Sequence, residues 1–286
     1  MRNLLLACAL LACACAGPRS RKATGEAVLS IGGKVEQGPS TFGRADLATL
    51  PRRSFRAIPP GADAPQKYDG VAIAAVLSDV VELGKGVDTV TFYGKDGYVA
   101  PVPLAGIRQL RPVLADTVAG APAQELQLAW PNVDQPGIDT DPRMRWWWVG
   151  GVTKLEVNAW VATYGRALRV PAGGSDDARL GADVFSVQCM GCHKLRTVGG
   201  TRGRDLTQIA AGKDPQAFAA SMRPHLEKVA PEKLAPGNEP APASLRQVAA
   251  FLREVQVGGA RPEEEFPPPE PVAPRRPGTA PGPTGY

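Results

Sequence analysis

The sequence predicts an α+β fold, in which a mixed α/β domain comes first and a smaller all-α domain follows. The chain has 286 residues, a length that favours two domains. Short segments of strand character, separated by glycine and proline, fill residues 27–165. Apolar residues recur at helical spacing within residues 176–257, and a glycine-rich break at 171–175 separates the two patterns.

The first residues, 1–16, are typical of a secretory signal peptide. Arg2 precedes a short apolar run at 4–12 that is too short to cross a bilayer as a helix. The run ends in small residues and cysteines, as expected near a processing site. We therefore expect the chain to be exported to the periplasm or to the outer face of a bacterial membrane.

Two processing routes fit this segment. Residues 10–13 resemble a bacterial lipobox, in which Cys13 would be lipidated, and Cys15 is a second candidate. Alternatively, residues 14–16 form an A-x-A cleavage site before Gly17. We expect the lipoprotein route, with a lipid anchor in the membrane, because simple signal peptides seldom need cysteines at the cleavage region.

The elements of residues 27–165 follow from alternation and turn signals. Strands are expected at 28–31, 89–93, 99–102, 125–130, 145–149 and 153–157, with a turn at 95–98 and a segment of helical character at 71–77. Strand alternation would place Trp146 and Trp148 on one face and Trp147 on the other. We expect at least one face in the core, while a docking surface or a contact with the second domain is the alternative.

Several of these pieces together resemble the molybdopterin-binding domain of the sulfite oxidase type. The resemblance rests on residues 29–35, 45–51 and 68–71, on the turn at 95–98 and on the tryptophan-rich segment. It implies a mixed sheet of short strands. In that family a cysteine thiolate binds the molybdenum, as suits a soft ligand.

This chain departs from the family at the metal ligand, because residues 27–165 contain neither cysteine nor histidine. We therefore interpret the domain as a relative without molybdenum catalysis that serves for docking, and we do not expect molybdopterin to bind. The alternative is a pterin bound without a cysteine ligand. Fold alone does not decide between them.

The motif that dominates the second half is Cys189-Met190-Gly191-Cys192-His193. It reads C-x-x-C-H, the attachment signature of c-type haem. The spacing places two sulfurs where they can form thioethers with the vinyl groups of one porphyrin, and His193 then supplies the proximal nitrogen to iron. A zinc half-site and a redox dithiol are the alternatives. Zinc would need a second pair of ligands, and no other cysteine pair exists outside the extreme N-terminus, while a thioredoxin-like setting is absent.

The surroundings of this motif resemble a class I cytochrome c. In that family a first helix carries a glycine and an aromatic residue four positions apart, here Gly181 and Phe185, and crosses a last helix, here 244–253. A proline often follows the motif and its carbonyl orients the proximal histidine. Arg204 stands at that position here, and the resemblance implies that its carbonyl accepts the same hydrogen bond.

The distal iron ligand is not fixed by the pattern. The family places a methionine shortly before the last helix, where this chain has Leu234, which cannot bind iron. The available donors are Met222 and His225. We rank Met222 first, His225 second, and an open or lysine-bound iron third; a methionine would raise the reduction potential relative to a nitrogen donor.

The charge of the chain argues against one class of partner, and the composition of its C-terminal end predicts disorder. Net charge is +5, and the basic residues are scattered without interleaved aromatics, so we do not expect nucleic acid binding. Residues 258–286 are rich in proline and glycine and are expected to be a disordered tail.

These observations give three hypotheses of function. The first is an exported one-electron carrier with a single covalent haem c and a redox partner protein, more electron-transfer protein than enzyme. The second is a molybdopterin-dependent oxidoreductase that passes electrons to its own haem. The third is a haem-based gas sensor, which would need an open iron.

Overall fold

The computed structural model describes residues 20–210, 213–234 and 241–257. The predicted signal segment with Cys13 and Cys15 lies outside the described residues, as does the predicted tail. The chain is a mixed α/β protein, which confirms the α+β class. No helix in the described ranges is both long and apolar enough to cross a membrane.

The strands follow the alternating segments of the sequence. They are β1 Ala27–Gly33, β2 Ser40–Gly43, β3 Arg52–Ala57, β4 Gln66–Ala72, β5 Thr89–Gly94, β6 Val99–Pro103, β7 Val113–Val118, β8 Ala121–Ala129, β9 Val152–Asn158, β10 Lys194–Leu195 and β11 Val198–Gly199. The segment expected to be helical at 71–77 is divided, because its first two residues end β4.

The helices are concentrated in the second half of the chain. They are α1 Arg44–Leu47, α2 Ile73–Asp79, α3 Leu104–Leu110, α4 Arg166–Leu168, α5 Asp176–Gln188, α6 Pro215–Val229 and α7 Pro242–Val257. Short 3-10 helices lie at Pro136–Thr140, Met144–Trp147 and Pro231–Lys233, and a π-helix lies at Val161–Gly165.

Two sheets form the first part of the described chain. One has the order β2-β1-β9-β5-β6, with β1 and β9 parallel and its other pairs antiparallel. The other has the order β3-β4-β7-β8 and is antiparallel throughout. The mixed sheet expected from the sequence is therefore confirmed, and both sheets contribute to one core that includes Leu29, Phe92, Leu114, Leu128 and Leu155.

The tryptophan-rich segment forms a 3-10 helix at Met144–Trp147, so the prediction of a strand there is wrong. The carbonyl groups of this segment accept hydrogen bonds from side chains, and not from the backbone amides of a neighbouring strand. The Tyr98 hydroxyl donates to the Trp146 carbonyl at 2.7 Å, and the Trp130 indole donates to the Trp147 carbonyl at 2.9 Å. Trp146 and Trp147 are both buried, which confirms that the segment contributes to the core. The shared face expected for Trp146 and Trp148 is wrong, because Trp146 packs with Leu226 and Leu245 whereas Trp148 packs against the core of the sheet region.

The long helices α5 and α7 cross at Gly181. A Cβ at Gly181 would lie 1.9 Å from the Gln247 carbonyl oxygen, so only glycine permits this approach. Phe185 and Phe251 pack beside the crossing with ring centroids 5.5 Å apart, and both are fully buried. The Ser175 side chain caps α5 by accepting from the Ala178 amide at 3.1 Å.

The segment 176–257, which was expected to be all-α, also contains two short strands. β10 and β11 form a two-stranded antiparallel hairpin directly after the C-x-x-C-H motif. The hairpin needs a left-handed residue at its turn, which Arg196 supplies with φ of 54°. The expectation of an all-α segment is corrected at this point.

Candidate functional site

The C-x-x-C-H motif is a tight turn at the end of α5. Cys189 caps the helix, and its carbonyl accepts from the amides of Cys192 at 3.1 Å and of His193 at 2.9 Å. This turn folds the motif back on itself. Cys189, Cys192 and His193 consequently line the same cavity.

The imidazole of His193 is held in one orientation. Its Nδ1 lies 2.8 Å from the Arg204 carbonyl oxygen, which can only accept, so Nδ1 carries the proton and Nε2 keeps its lone pair. The hydrogen bond that the resemblance implied for Arg204 is thus present. Fixing a ligand histidine through its other nitrogen is the usual way in which proteins orient a metal ligand.

Gly203 makes this arrangement possible. A Cβ at position 203 would lie 2.3 Å from Cε1 of His193, well inside contact distance. The Gly203 amide also donates to the Cys192 carbonyl at 2.7 Å, which holds the loop against the motif. The loop 203–204 is therefore shaped around the imidazole, and this cradle fits a proximal haem ligand.

The setting of the two thiols raises their pKa values, whereas a redox dithiol depends on a lowered one. Burial raises the pKa of the Cys189 thiol to about 12, and the nearby Cys192 adds to the shift. Burial is also the main cause that raises the pKa of Cys192. Reactive dithiols depend on a lowered thiol pKa. Both thiols are free, which leaves them available for covalent attachment.

The cavity next to the motif leaves about 970 Å³ free of protein atoms, part of it open to solvent. Its walls come from α5, α6, α7 and the loop after β11. The apolar lining residues are Leu206, Ile209, Phe218, Leu226, Val229, Leu245, Val248 and Leu252. The donor set, the cradle and these walls together fit a covalently held haem.

Both sequence-predicted distal candidates reach this cavity from α6. Met222 and His225 line it, and the ring centroids of His193 and His225 are 5.7 Å apart with an interplanar angle of 48°. Partial burial and then the neighbouring His193 lower the pKa of His225. Lys213 also lines the cavity, so the lysine-bound alternative has a candidate.

Leu234, the residue at the family's usual ligand position, does not line the cavity. It is half-buried and packs against a small cluster that contains Trp146, Leu226 and Leu245. At Leu234, the segment before α7 therefore supplies an apolar packing contact and no group that lines the cavity. Any distal ligand from the described residues would have to come from another element, and α6 is the element that faces His193.

Three residues of the sheet region touch this site: Tyr98, Val99 and Trp146. The sequence offered a contact with the second domain only as an alternative for the tryptophans and gave no such role to Tyr98 or Val99. The Tyr98 ring lies so close to Gly191 that a Cβ there would be 2.7 Å from Tyr98 Cε2. The Val99 amide donates to the Gly191 carbonyl at 2.8 Å, and Trp146 lines the cavity next to the motif. The turn at 95–98 and the three tryptophans were the available signals, but neither indicates a specific contact.

A second, more polar cavity, with about 650 Å³ free of protein atoms and part of it open to solvent, lies where the sheet region meets the helical region. It is lined by Lys95, Asp96, Tyr98, Glu125, Trp148, Val149, Gly150, Arg202, Glu232 and Lys233. The ammonium of Lys233 donates to the carbonyls of Arg145 at 2.8 Å and Trp148 at 3.0 Å. Burial lowers the pKa of Lys233 to about 8.

Within the residues that the structure describes, no group of three or more His, Cys, Asp and Glu side chains is arranged to hold a metal ion. The sheet region, which the sequence compared with a molybdopterin domain, offers no thiolate or imidazole at all. Its side chains therefore do not fit thiolate ligation of molybdenum.

Comparisons with known proteins give little more. No known protein-family model matches the chain, and no curated protein matches it. Among solved structures it is similar to the sulfane dehydrogenase SoxCD from Paracoccus pantotrophus, with 18% sequence identity and a TM-score of 0.35. The match covers 46% of this chain, which spans only 38% of that chain.

Proposed function

We propose that this protein is an exported c-type cytochrome that carries single electrons, with the sheet region serving as a docking module. One observation carries the proposal. The two cysteines and the histidine of C-x-x-C-H line one largely apolar cavity, and His193 is oriented by the Arg204 carbonyl. Covalently attached haem, when bound, accepts and donates one electron at a time.

The chain's own residues would have four tasks. Cys189 and Cys192 would hold the porphyrin through thioethers, and His193 would present Nε2 to the iron. The apolar walls would exclude water and keep the local dielectric low, which sets the reduction potential together with the ligands. The sheet region, packed on the motif through Tyr98, would offer a rigid surface to a redox partner.

Covalent haem is the direct test. The full-length chain is expressed in a bacterium that attaches haem to exported proteins, then purified and denatured in acid. We expect one haem to remain with each wild-type chain and none with the Cys189→Ala, Cys192→Ala double variant. A wild-type chain without haem would overturn the proposal, and one molybdenum per chain would overturn the carrier-only function in favour of a pterin enzyme.

The membrane attachment is a separate proposal. A lipid on Cys13 would hold the protein on the outer face of the membrane. We expect Cys13→Ser to move the protein from the membrane fraction to the soluble periplasmic fraction, while Cys15→Ser leaves it in place. Loss of attachment only in the Cys15→Ser variant would assign the lipid to Cys15, and a soluble wild type would contradict the anchor.

A further inference from the structure

We infer that His225 on α6, not Met222, is the distal ligand of the haem iron, so that the iron has two histidine ligands. This assignment rests on the proposed function and reverses the ranking that the sequence gave. It is carried by two imidazoles that line one cavity, with ring centroids 5.7 Å apart.

The separation of the two rings fits one metal between them. Nitrogen–metal bonds of histidine are about 2.0–2.1 Å in zinc sites, so two imidazoles on opposite sides of one ion have centroids roughly 6 Å apart. The centroids of His193 and His225 are 5.7 Å apart, and the two rings lie at 48° to each other. A small opening movement of α6 would admit the iron.

The two histidines differ in what else they bind. His193 is committed through Nδ1 to the Arg204 carbonyl at 2.8 Å, as expected of the proximal ligand. His225 makes no hydrogen bond with any described residue, and its side chain is exposed towards the cavity. Its ring nitrogens are therefore available to a metal.

The side chain of Met222, unlike that of His225, packs within the apolar interior of the helical region. It is half-buried and packs against both apolar clusters of the helical region, one around Phe185 and the other around Ala249. Turning its sulfur to the iron would remove these contacts. His225 lies three residues further along α6, on nearly the same side of the helix, and has no such packing role.

A proline makes α6 easier to bend next to His225. Pro224 lies inside α6, directly before His225, and cannot donate an amide hydrogen to the Ala220 carbonyl. An interior proline loosens and kinks a helix at the preceding turn. The turn that carries His225 can therefore move towards the iron while the first half of α6 keeps its packing through Phe218.

Spectroscopy of the haem-loaded, full-length protein tests the assignment. We expect the wild type and the matched control Met222→Leu to share a six-coordinate spectrum without the weak long-wavelength band of an iron–sulfur bond, and neither reduced form to bind carbon monoxide. His225→Ala should become high-spin and bind carbon monoxide, and added imidazole should restore the wild-type spectrum. His225→Met should raise the reduction potential.

Two results would overturn the assignment. One is an iron–sulfur band in the wild type that Met222→Leu abolishes, which makes Met222 the ligand. The other is a His225→Ala spectrum identical to the wild type, which assigns another donor such as Lys213 or a vacant site. Because these measurements require covalent haem, a haem-free protein would refute the proposed function, whereas either result above refutes only the ligand assignment.

Discussion

His193 is positioned by backbone atoms as much as by its own side chain. The Arg204 carbonyl fixes its tautomer, and Gly203 leaves the space in which its ring lies. Neither effect depends on the side chain of residue 204. An arginine at this position therefore serves the hydrogen bond as well as any other residue would, because only its carbonyl takes part.

Gly203→Ala tests this cradle. The new Cβ would lie 2.3 Å from Cε1 of His193, so the ring or the loop must move. We expect a lower haem-to-protein ratio and a loss of about 1–3 kcal/mol in the free energy of unfolding, typical of overpacking. Gly137→Ala, where a Cβ meets nothing within 4 Å, is the control. A normal haem content in the Gly203 variant would contradict the role of the cradle.

Lys233 makes the stability depend on pH. Burial lowers its folded pKa to about 8 from 10.5, so between these values the unfolded chain binds a proton that the folded chain has lost. Stability should therefore rise with pH in this window, by at most about 1.4 kcal/mol per pH unit.

Urea unfolding of the wild type and Lys233→Met between pH 7 and pH 10 checks this expectation. The difference in unfolding free energy should favour the wild type increasingly as the pH rises above about 8. Lys67→Met, at an exposed position of β4, controls for the general loss of a positive charge. A difference that stays constant with pH would show that Lys233 titrates normally.

At the scale of elements, the crossing of α5 and α7 holds the helical region together. The two helices approach most closely at Gly181, and their apolar faces bury Phe185 and Phe251. α6 then packs against α7 and completes the cavity. The position of the motif at the end of α5 is thus set by a helix contact some two turns away.

Gly181→Ala should separate these helices. Its Cβ would lie 1.9 Å from the Gln247 carbonyl oxygen, a backbone atom that cannot rotate away. We expect a loss of about 1–3 kcal/mol or more in the free energy of unfolding. Gly106→Ala in α3, where a Cβ meets nothing within 4 Å, should instead gain about 0.5–1 kcal/mol. Equal stability of the two variants would contradict the close crossing.

For the molecule as a whole, the sheet region and the helical region are joined at the motif. Backbone hydrogen bonds run from Val99 to Gly191 and from Thr201 to Gly97, both at 2.8 Å. The Tyr98 ring fills the space between them. These bonds fasten the motif to the sheet, so that we expect the two regions to unfold together.

Unfolding of the loaded protein tests this coupling. We expect haem absorbance and tryptophan fluorescence to report one transition in the wild type and two in Tyr98→Ala, which also loses about 3–5 kcal/mol as a buried aromatic. Phe42→Ala, buried in β2 away from the motif, should weaken the protein but keep the transitions together. Separate transitions in the wild type would show that the two regions are independent.

The local patterns determined a large part of this protein. Alternation located most strands, and the C-x-x-C-H spacing located the site. The helix-crossing glycine was found through the resemblance to cytochromes c. Local patterns failed at the tryptophan-rich segment, because its carbonyls bond to Tyr98 and Trp130, which lie 48 and 17 residues away. Strand alternation assumes a neighbouring strand, and here side chains take its place.

The sequence by itself determined which atoms can hold the cofactor, since two thiols and an imidazole at fixed spacing lie within a single turn. Only the tertiary structure decided what surrounds them. It placed Tyr98 and Trp146 beside the motif, and it turned His225 on α6 towards His193. These contacts join residues far apart in the chain, and no periodicity along the sequence records a distance that exists only after the helices and sheets have packed.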